Sequence, residues 1–147
     1  MGNAARAIII ENDKILVMHR NKRGKEYFTL VGGLAKPNEP IEQALAREVM
    51  EETGLEITSS RFVFAEKHRQ PYNDQYVFLC EVAAHDAVAL QSTSEEAIMN
   101  RIDTNSHTPM WVDPKKFAKL PFITIELQKA IIDAIKNGFP NEPVQLS

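Results

Sequence analysis

AREVMEETG, residues 46–54, gathers Glu48, Glu51 and Glu52 into little more than one helical turn. Working outward, Pro40 suits the first turn of a helix, where its missing N–H costs nothing, and Gly54 is placed to end one in a left-handed conformation. A helix is therefore expected over residues 41–53. At about 100° per residue, Ile41, Leu45 and Val49 share one stripe with Ala44 at its edge, and this side should pack on a sheet. Glu48 and Glu52 fall in the same sector and Glu51 at its margin, while Glu42, Gln43, Ala46 and Met50 take the far side. Like charges at this spacing destabilise a helix by about 0.2–0.5 kcal/mol each. The helix dipole opposes them near the C-terminus. Partial burial costs far more unless the charges are neutralised or paired.

On either side of this helix the pattern is that of strands. "RAIIIENDKILVMHR" reads as a hairpin around the turn-forming "END". "RNKRGKEY" (20–27) is polar and basic with a glycine and reads as a loop, "FTLVGG" as a short strand ending in two glycines, and "LAKPNEP" as a loop. "RFVFAEKHR" and "YVFLCEVAA" read as strands joined by the turn "QPYND". "QSTSEEAIMNRIDTNSHT" is a long polar loop with one helical turn around "SEEAIM", and "PMWVDP" is a short strand. "TIELQKAIIDAIKNG" is an amphipathic helix with Ile125, Ile132 and Ile135 among its apolar positions. The tail from about residue 139 is expected to be loosely held. Strands, helix, more strands and a final helix describe an α+β domain with a mixed central sheet and helices packed against it, not a doubly wound parallel fold.

The chain has 147 residues, 44% of them apolar, which is the size of one domain, 1–147, with enough apolar surface for a core. A net charge of −3 is too small to draw nucleic acid or a membrane through bulk electrostatics. The single cysteine, Cys80, rules out an internal disulfide and reads as a small buried apolar residue in a protein of a reducing, cytoplasmic compartment. No stretch approaches the roughly 20 apolar residues of a membrane span. The first residues lack the pattern of a secretory signal.

A hard divalent cation resolves the acidic helix. Carboxylates at i, i+3 and i+4 can converge on Mg²⁺, which prefers a few such ligands together with water and phosphate oxygens, and Arg47 is placed to hold one of them. The alternative is a solvated, glutamate-rich helix end.

Extended backwards, the stretch becomes a longer pattern: Gly33, then Glu39, then Arg47 and Glu48, followed by Val49, Glu51, Glu52, Gly54 and Leu55. Residues 33–55 resemble the Nudix box, G-x5-E-x7-R-E-U-x-E-E-x-G-U with U aliphatic, at every defined position. More loosely, the strand pair, the paired glycines, the "WV" strand after a long loop and the C-terminal helix are also usual in Nudix domains. One departure is Val31, where many members carry proline before the glycines. The resemblance implies an α/β/α sandwich and a hydrolase that needs Mg²⁺ or Mn²⁺. Its reaction would cleave the pyrophosphate linkage of a nucleoside diphosphate joined to a moiety X, a small-molecule nucleotide. It also implies that Glu48, Glu51 and Glu52 bind or position the metal, with the Gly32 carbonyl a further ligand in some relatives, that Arg47 orients the carboxylates, and that Glu39 braces the loop. Gly32 and Gly33 would let the backbone approach metal and phosphate closely.

A general base is expected either among the box glutamates or on the long polar loop. That loop offers Glu95, Glu96 and Asp103, with Glu96 favoured and His107 as a further candidate. Substrate contacts should lie outside the box. Tyr27, Phe28 and Tyr72 suit base stacking or plain packing, and Arg20, Lys22, Arg23 and Lys25 suit phosphate contacts or a solvated loop; Arg20, Arg23, Gly33 and Tyr72 are the substrate candidates carried forward. A dimer remains open. Two competing functions are a non-catalytic Nudix domain that binds a nucleotide or protein partner, and a metal-buffering helix with no substrate.

Overall fold

A computed structural model describes residues 3–67, 74–85 and 106–146. The chain runs β1 (Ala4–Ile8), β2 (Ile10–Glu11), β3 (Lys14–Lys22), β4 (Lys25–Thr29), β5 (Val31–Leu34), α1 (Ile41–Thr53), β6 (Ile57–Glu66), β7 (Gln75–Val82), β8 (Ser106–Val112), α2 (Pro114–Phe117), α3 (Ile125–Asn137) and β9 (Val144–Leu146). One sheet has the order β5-β1-β7-β6-β9. It is mixed: β1 is antiparallel to β5 and parallel to β7, and β9 is parallel to β6. A second sheet is built on β3, which pairs antiparallel with β2, β4 and β8. The expected mixed α+β architecture is the observed one.

Strand alternation places the helices in two layers. Ala5 and Ala7 of β1, Leu16 and Met18 of β3, and Phe78 and Cys80 of β7 pack with Ala44, Leu45 and Val49 of α1. Their sequence neighbours Ile8, Ile15, Val17 and Val77 pack with Leu127, Ile131 and Ala134 of α3. Cys80 is buried in the first cluster, which pushes its thiol up to about 12. The small-apolar reading of this residue fits that setting. Among the described residues, no helix is long and apolar enough to cross a membrane.

Helix α1 spans Ile41–Thr53, as expected, and Gly54 closes it at φ 78° with its N–H donated to the Met50 carbonyl. Pro40 lies one position earlier than its first-turn role required; it is the N-cap residue, and its carbonyl accepts the Ala44 N–H.

Several segments differ from the sequence expectation. The first hairpin is much shorter, because only Ile10 and Glu11 pair with β3, around Asn12 and Asp13 at φ 52° and 61°. Residues 4–8 leave for the other sheet. The basic segment 20–27 is not a loop. Arg23 and Gly24, at φ 53° and 84°, form a tight turn, and β3 and β4 stay paired up to Lys22 and Lys25. A two-residue turn with positive φ at both positions matches the twist of paired strands, so polar composition alone misled. "FTLVGG" divides at Leu30 into β4 and β5, which serve different sheets.

In α3 the buried stripe is Leu127, Ile131 and Ala134, whereas Ile125 is 57% exposed. Thr124 caps this helix: its hydroxyl accepts from Leu127 N–H at 3.1 Å and donates to the buried Glu66 Oε2 at 2.5 Å. Gln128 donates to the Phe117 and Leu120 carbonyls, tying the end of α2 to α3. The segment beyond residue 139 is held more firmly than its composition suggests. Phe139 packs against Phe64 and β9 extends the first sheet alongside β6.

These packing differences make a measurable contrast. Ile131→Ala should lower unfolding stability by about 2–5 kcal/mol, whereas Ile125→Ala should change it by less than about 0.5 kcal/mol, in chemical denaturation. Comparable losses from the two would contradict the α3 packing.

Candidate active site

The acidic helix does turn its charge inward. Glu52 is fully buried and Glu48 is 9% exposed, on the side that packs against β1 and β5, while Met50 is exposed on the far side. Glu51 sits at the margin, its side chain 36% exposed. Charges placed there need partners, and the structure supplies arginines.

Arg47 is the hub. Its Nε and Nη2 donate to the two Glu39 carboxylate oxygens, both at 2.9 Å, a bidentate geometry. Its Nη1 donates to Glu48 Oε1 at 2.9 Å and lies 3.5 Å from Glu51 Oε1, and Nη2 also reaches the Leu34 carbonyl at 3.1 Å. The Glu39 carboxylate additionally accepts the Lys36 N–H at 2.8 Å. The Arg47 hydrogen bonds, then the Lys36 N–H, hold the Glu39 carboxyl far below its ordinary value of 4.5, at about 2. The same bonds push the Arg47 guanidinium further up, Glu39 contributing most. Arg47 therefore does more than fix one carboxylate: it links Glu39 of the loop, Glu48 and Glu51 of the helix and the backbone of β5.

Glu52 is held separately. Its Oε1 accepts the Gly32 N–H at 2.6 Å, and its Oε2 lies 4.0 Å from Arg20 Nη2. Arg20, on β3, is oriented by donating Nε to Thr29 Oγ1 at 2.9 Å. This substrate candidate is thus brought to the acidic cluster. Arg23 is not: it sits at the exposed tip of the β3–β4 turn, roughly 10 Å further along the strand.

The two glycines serve different neighbours. A Cβ on Gly32 would meet the Ala5 carbonyl at 2.0 Å, and its φ of 133° excludes ordinary side chains. A Cβ on Gly33 would meet Glu48 Oε2 at 2.5 Å. The space they leave is taken by the β1 backbone and by a carboxylate, rather than standing open for metal and phosphate as expected. The Gly32 carbonyl accepts from Arg6 Nη1 at 2.9 Å, a contact with no signal in the motif.

Phe28 is a core residue, stacked on His19 with ring centroids 4.7 Å apart, and so is not a base-stacking surface. Tyr27 lies opposite Arg20 in the β3–β4 register. His107 belongs to β8, not to a loop, and is the β8 partner of Arg20. Tyr72, Glu95, Glu96 and Asp103 lie outside the described residues.

As a cation site, the donor set has the right chemistry. Glu48, Glu51 and Glu52 offer hard carboxylate oxygens at helical spacing, two of them shielded from water. Among the described residues, however, no three acidic, histidine or cysteine side chains converge closely enough to cage an ion. Arg47 engages the carboxylates that a cation would share.

Comparison with known proteins adds independent findings. Residues 1–132 match the family model described as the NUDIX domain. The NAD-capped RNA hydrolase NudC of Edwardsiella ictaluri is 30% identical over 101 residues, covering 69% of this chain and 39% of that protein. NudC of Escherichia coli is 30% identical over 95 residues, covering 65% and 37%. The chain thus spans less than two-fifths of the length of these relatives. Among solved structures, a Nudix hydrolase family member from Chromobacterium violaceum superposes with a TM-score of 0.58 at 28% identity, covering 92% of this chain and 77% of that one. An ADP-ribose pyrophosphatase from Streptococcus suis superposes with a TM-score of 0.67 at 19% identity, covering 98% of each chain, a likeness of fold.

The Glu39–Arg47 pair has a pH signature. The unfolded chain binds the Glu39 proton near 4.5 and the folded chain only near 2, so this pair stabilises the fold above pH 4.5 and the effect is lost as pH falls toward 2. Glu39→Gln should flatten the rise of stability with pH across that window in denaturant melts. A slope identical to the parent's would contradict the pairing.

Proposed function

The chain belongs to the NUDIX family, and from that premise we propose that it is a metal-dependent pyrophosphohydrolase, cleaving the diphosphate linkage of a nucleoside diphosphate joined to a second moiety. One observation supports this most. The family motif is complete, and its helix buries Glu48 and Glu52 beside the glycine strand, where a purely structural helix would carry apolar side chains. Keeping those charges inside costs stability, which points to retention for chemistry.

In this reading Glu48, Glu51 and Glu52 hold Mg²⁺ or Mn²⁺. The bound ion would neutralise the diphosphate and lower the pKa of a coordinated water. Arg47 bridges and orients Glu48 and Glu51, and Glu39 anchors Arg47 to the loop. Arg20, next to Glu52, offers its guanidinium to a phosphate oxygen. His107, the β8 register partner of Arg20, stays a further candidate for the base. Glu96 and Tyr72 keep the roles proposed from the sequence, as base and as base-stacking residue. The setting we propose is the cytoplasm, with small nucleotides as substrates.

A substrate screen tests this: metal-dependent release of phosphate or mononucleotide from nucleoside triphosphates, ADP-ribose, nucleotide sugars, dinucleoside polyphosphates and NAD-capped RNA. Two of these follow the names of the NudC and Streptococcus suis proteins. Glu52→Gln should reduce turnover of the best compound by at least about 100-fold with the far-ultraviolet spectrum unchanged, and chelation of divalent ions should abolish it. Tight binding of one nucleotide with no turnover of any would favour the non-catalytic domain instead.

A further inference from the structure

The glycine strand is gripped from both faces of the first sheet, and the grip on the side away from α1 comes from outside the motif. Ala5 and Ala7 of β1 pack in the α1 cluster and Ile8 in the opposite one, so Arg6 projects toward the α3 side. Its Nη1 donates to the Gly32 carbonyl at 2.9 Å and to the Leu30 carbonyl at 3.4 Å. Its Nε donates to Gln75 Oε1 at 3.1 Å on the neighbouring strand β7, which sets the plane of the guanidinium.

The two carbonyls belong to the peptides on either side of the 31–32 peptide. That middle peptide carries the Gly32 N–H, which donates to Glu52 Oε1 at 2.6 Å. Gly32 has no side chain to restrict it and sits at φ 133°, so its own preferences leave the direction of this N–H undetermined. The β1 ladder, which pairs Val31 with Ala7 and Gly33 with Ala5, holds this stretch from one edge, and the two held carbonyls add to it in fixing the direction.

We propose that Arg6 is a positioning residue for Glu52: it clamps the Leu30 and Gly32 carbonyls so that the Gly32 N–H is aimed at the buried carboxylate. The role needs the planar fork of arginine. A lysine retains the charge but offers no rigid fork to span both carbonyls while Gln75 orients it. Arg6 works through the backbone and not through substrate, so its loss changes the rate and not the affinity for nucleotide. The activity readout rests on the hydrolase reading above; the structural readout does not.

The test compares Arg6→Met, Arg6→Lys and Gln75→Leu with the parent. A hydrogen bond this short to a carboxylate moves the Gly32 amide proton strongly downfield in a ¹⁵N-resolved proton spectrum. Arg6→Met should move it upfield, with Arg6→Lys intermediate and Gln75→Leu shifted in the same direction by less. With the best substrate from the screen, kcat should fall about tenfold in Arg6→Met while KM stays within about twofold, the worth of one charge-assisted hydrogen bond at the low end of its range. If Arg6→Met does not fold, Arg6→Lys carries the comparison. A Gly32 amide at its parental position in Arg6→Lys and Gln75→Leu, or a rise in KM matching the fall in kcat/KM, overturns the proposal. A parent with no turnover of any nucleotide overturns the hydrolase reading and leaves the amide comparison standing.

Discussion

Two glutamates on the inner side of α1 impose the constraint that the rest of the site satisfies. Glu48 and Glu52 lie on the face that packs against the sheet, alongside Leu45 and Val49. Removing a carboxylate from water costs several kcal/mol, by a rough reckoning, unless donors replace the lost solvent. Glu48 is answered by Arg47 of the same helix and Glu52 by the Gly32 N–H of β5, with the Arg20 guanidinium of β3 4.0 Å from its second oxygen.

The glycine strand is where the constraint is met. β5 has its Leu34 carbonyl held by Arg47 from the α1 side and its Gly32 carbonyl held by Arg6 from the α3 side. Between them the Gly32 N–H is turned to Glu52, and the missing side chain of Gly33 makes room for the Glu48 carboxylate. A motif glycine usually read as room for a ligand here first admits parts of the protein itself. Such a loop has little freedom left, which is what a metal- or phosphate-binding backbone requires if it is to hold its geometry before the ligand arrives.

The acidic helix was legible because its signals are local. Helical period, a proline before it and a glycine after it depend on neighbours in sequence, and the side on which Glu48 and Glu52 fall follows from the same period. The motif marked Glu39 and Arg47, but that they pair with each other came only from the structure. Other parts were not legible in this way. Polar composition at 20–27 hid a tight turn, since positive φ at Arg23 and Gly24 leaves little trace in hydropathy. In α3, isoleucine content drew attention to Ile125, but which stripe is buried depends on where β1 and β3 lie beneath the helix. Arg6 carried no signal at all, because its contacts span residues distant along the chain.

The sequence by itself determined that a helix would form over residues 41–53, that its charges would lie on the apolar side, and that the chain would combine a mixed sheet with helices, because these follow from periodicity and short-range capping. Only the tertiary structure decided what answers those charges: the Gly32 N–H of β5 on Glu52, with the Arg20 guanidinium of β3 beside it. Partner choice for a buried charge is settled by which strands become neighbours, and strand adjacency comes from the packing of the whole chain, which no local stretch encodes.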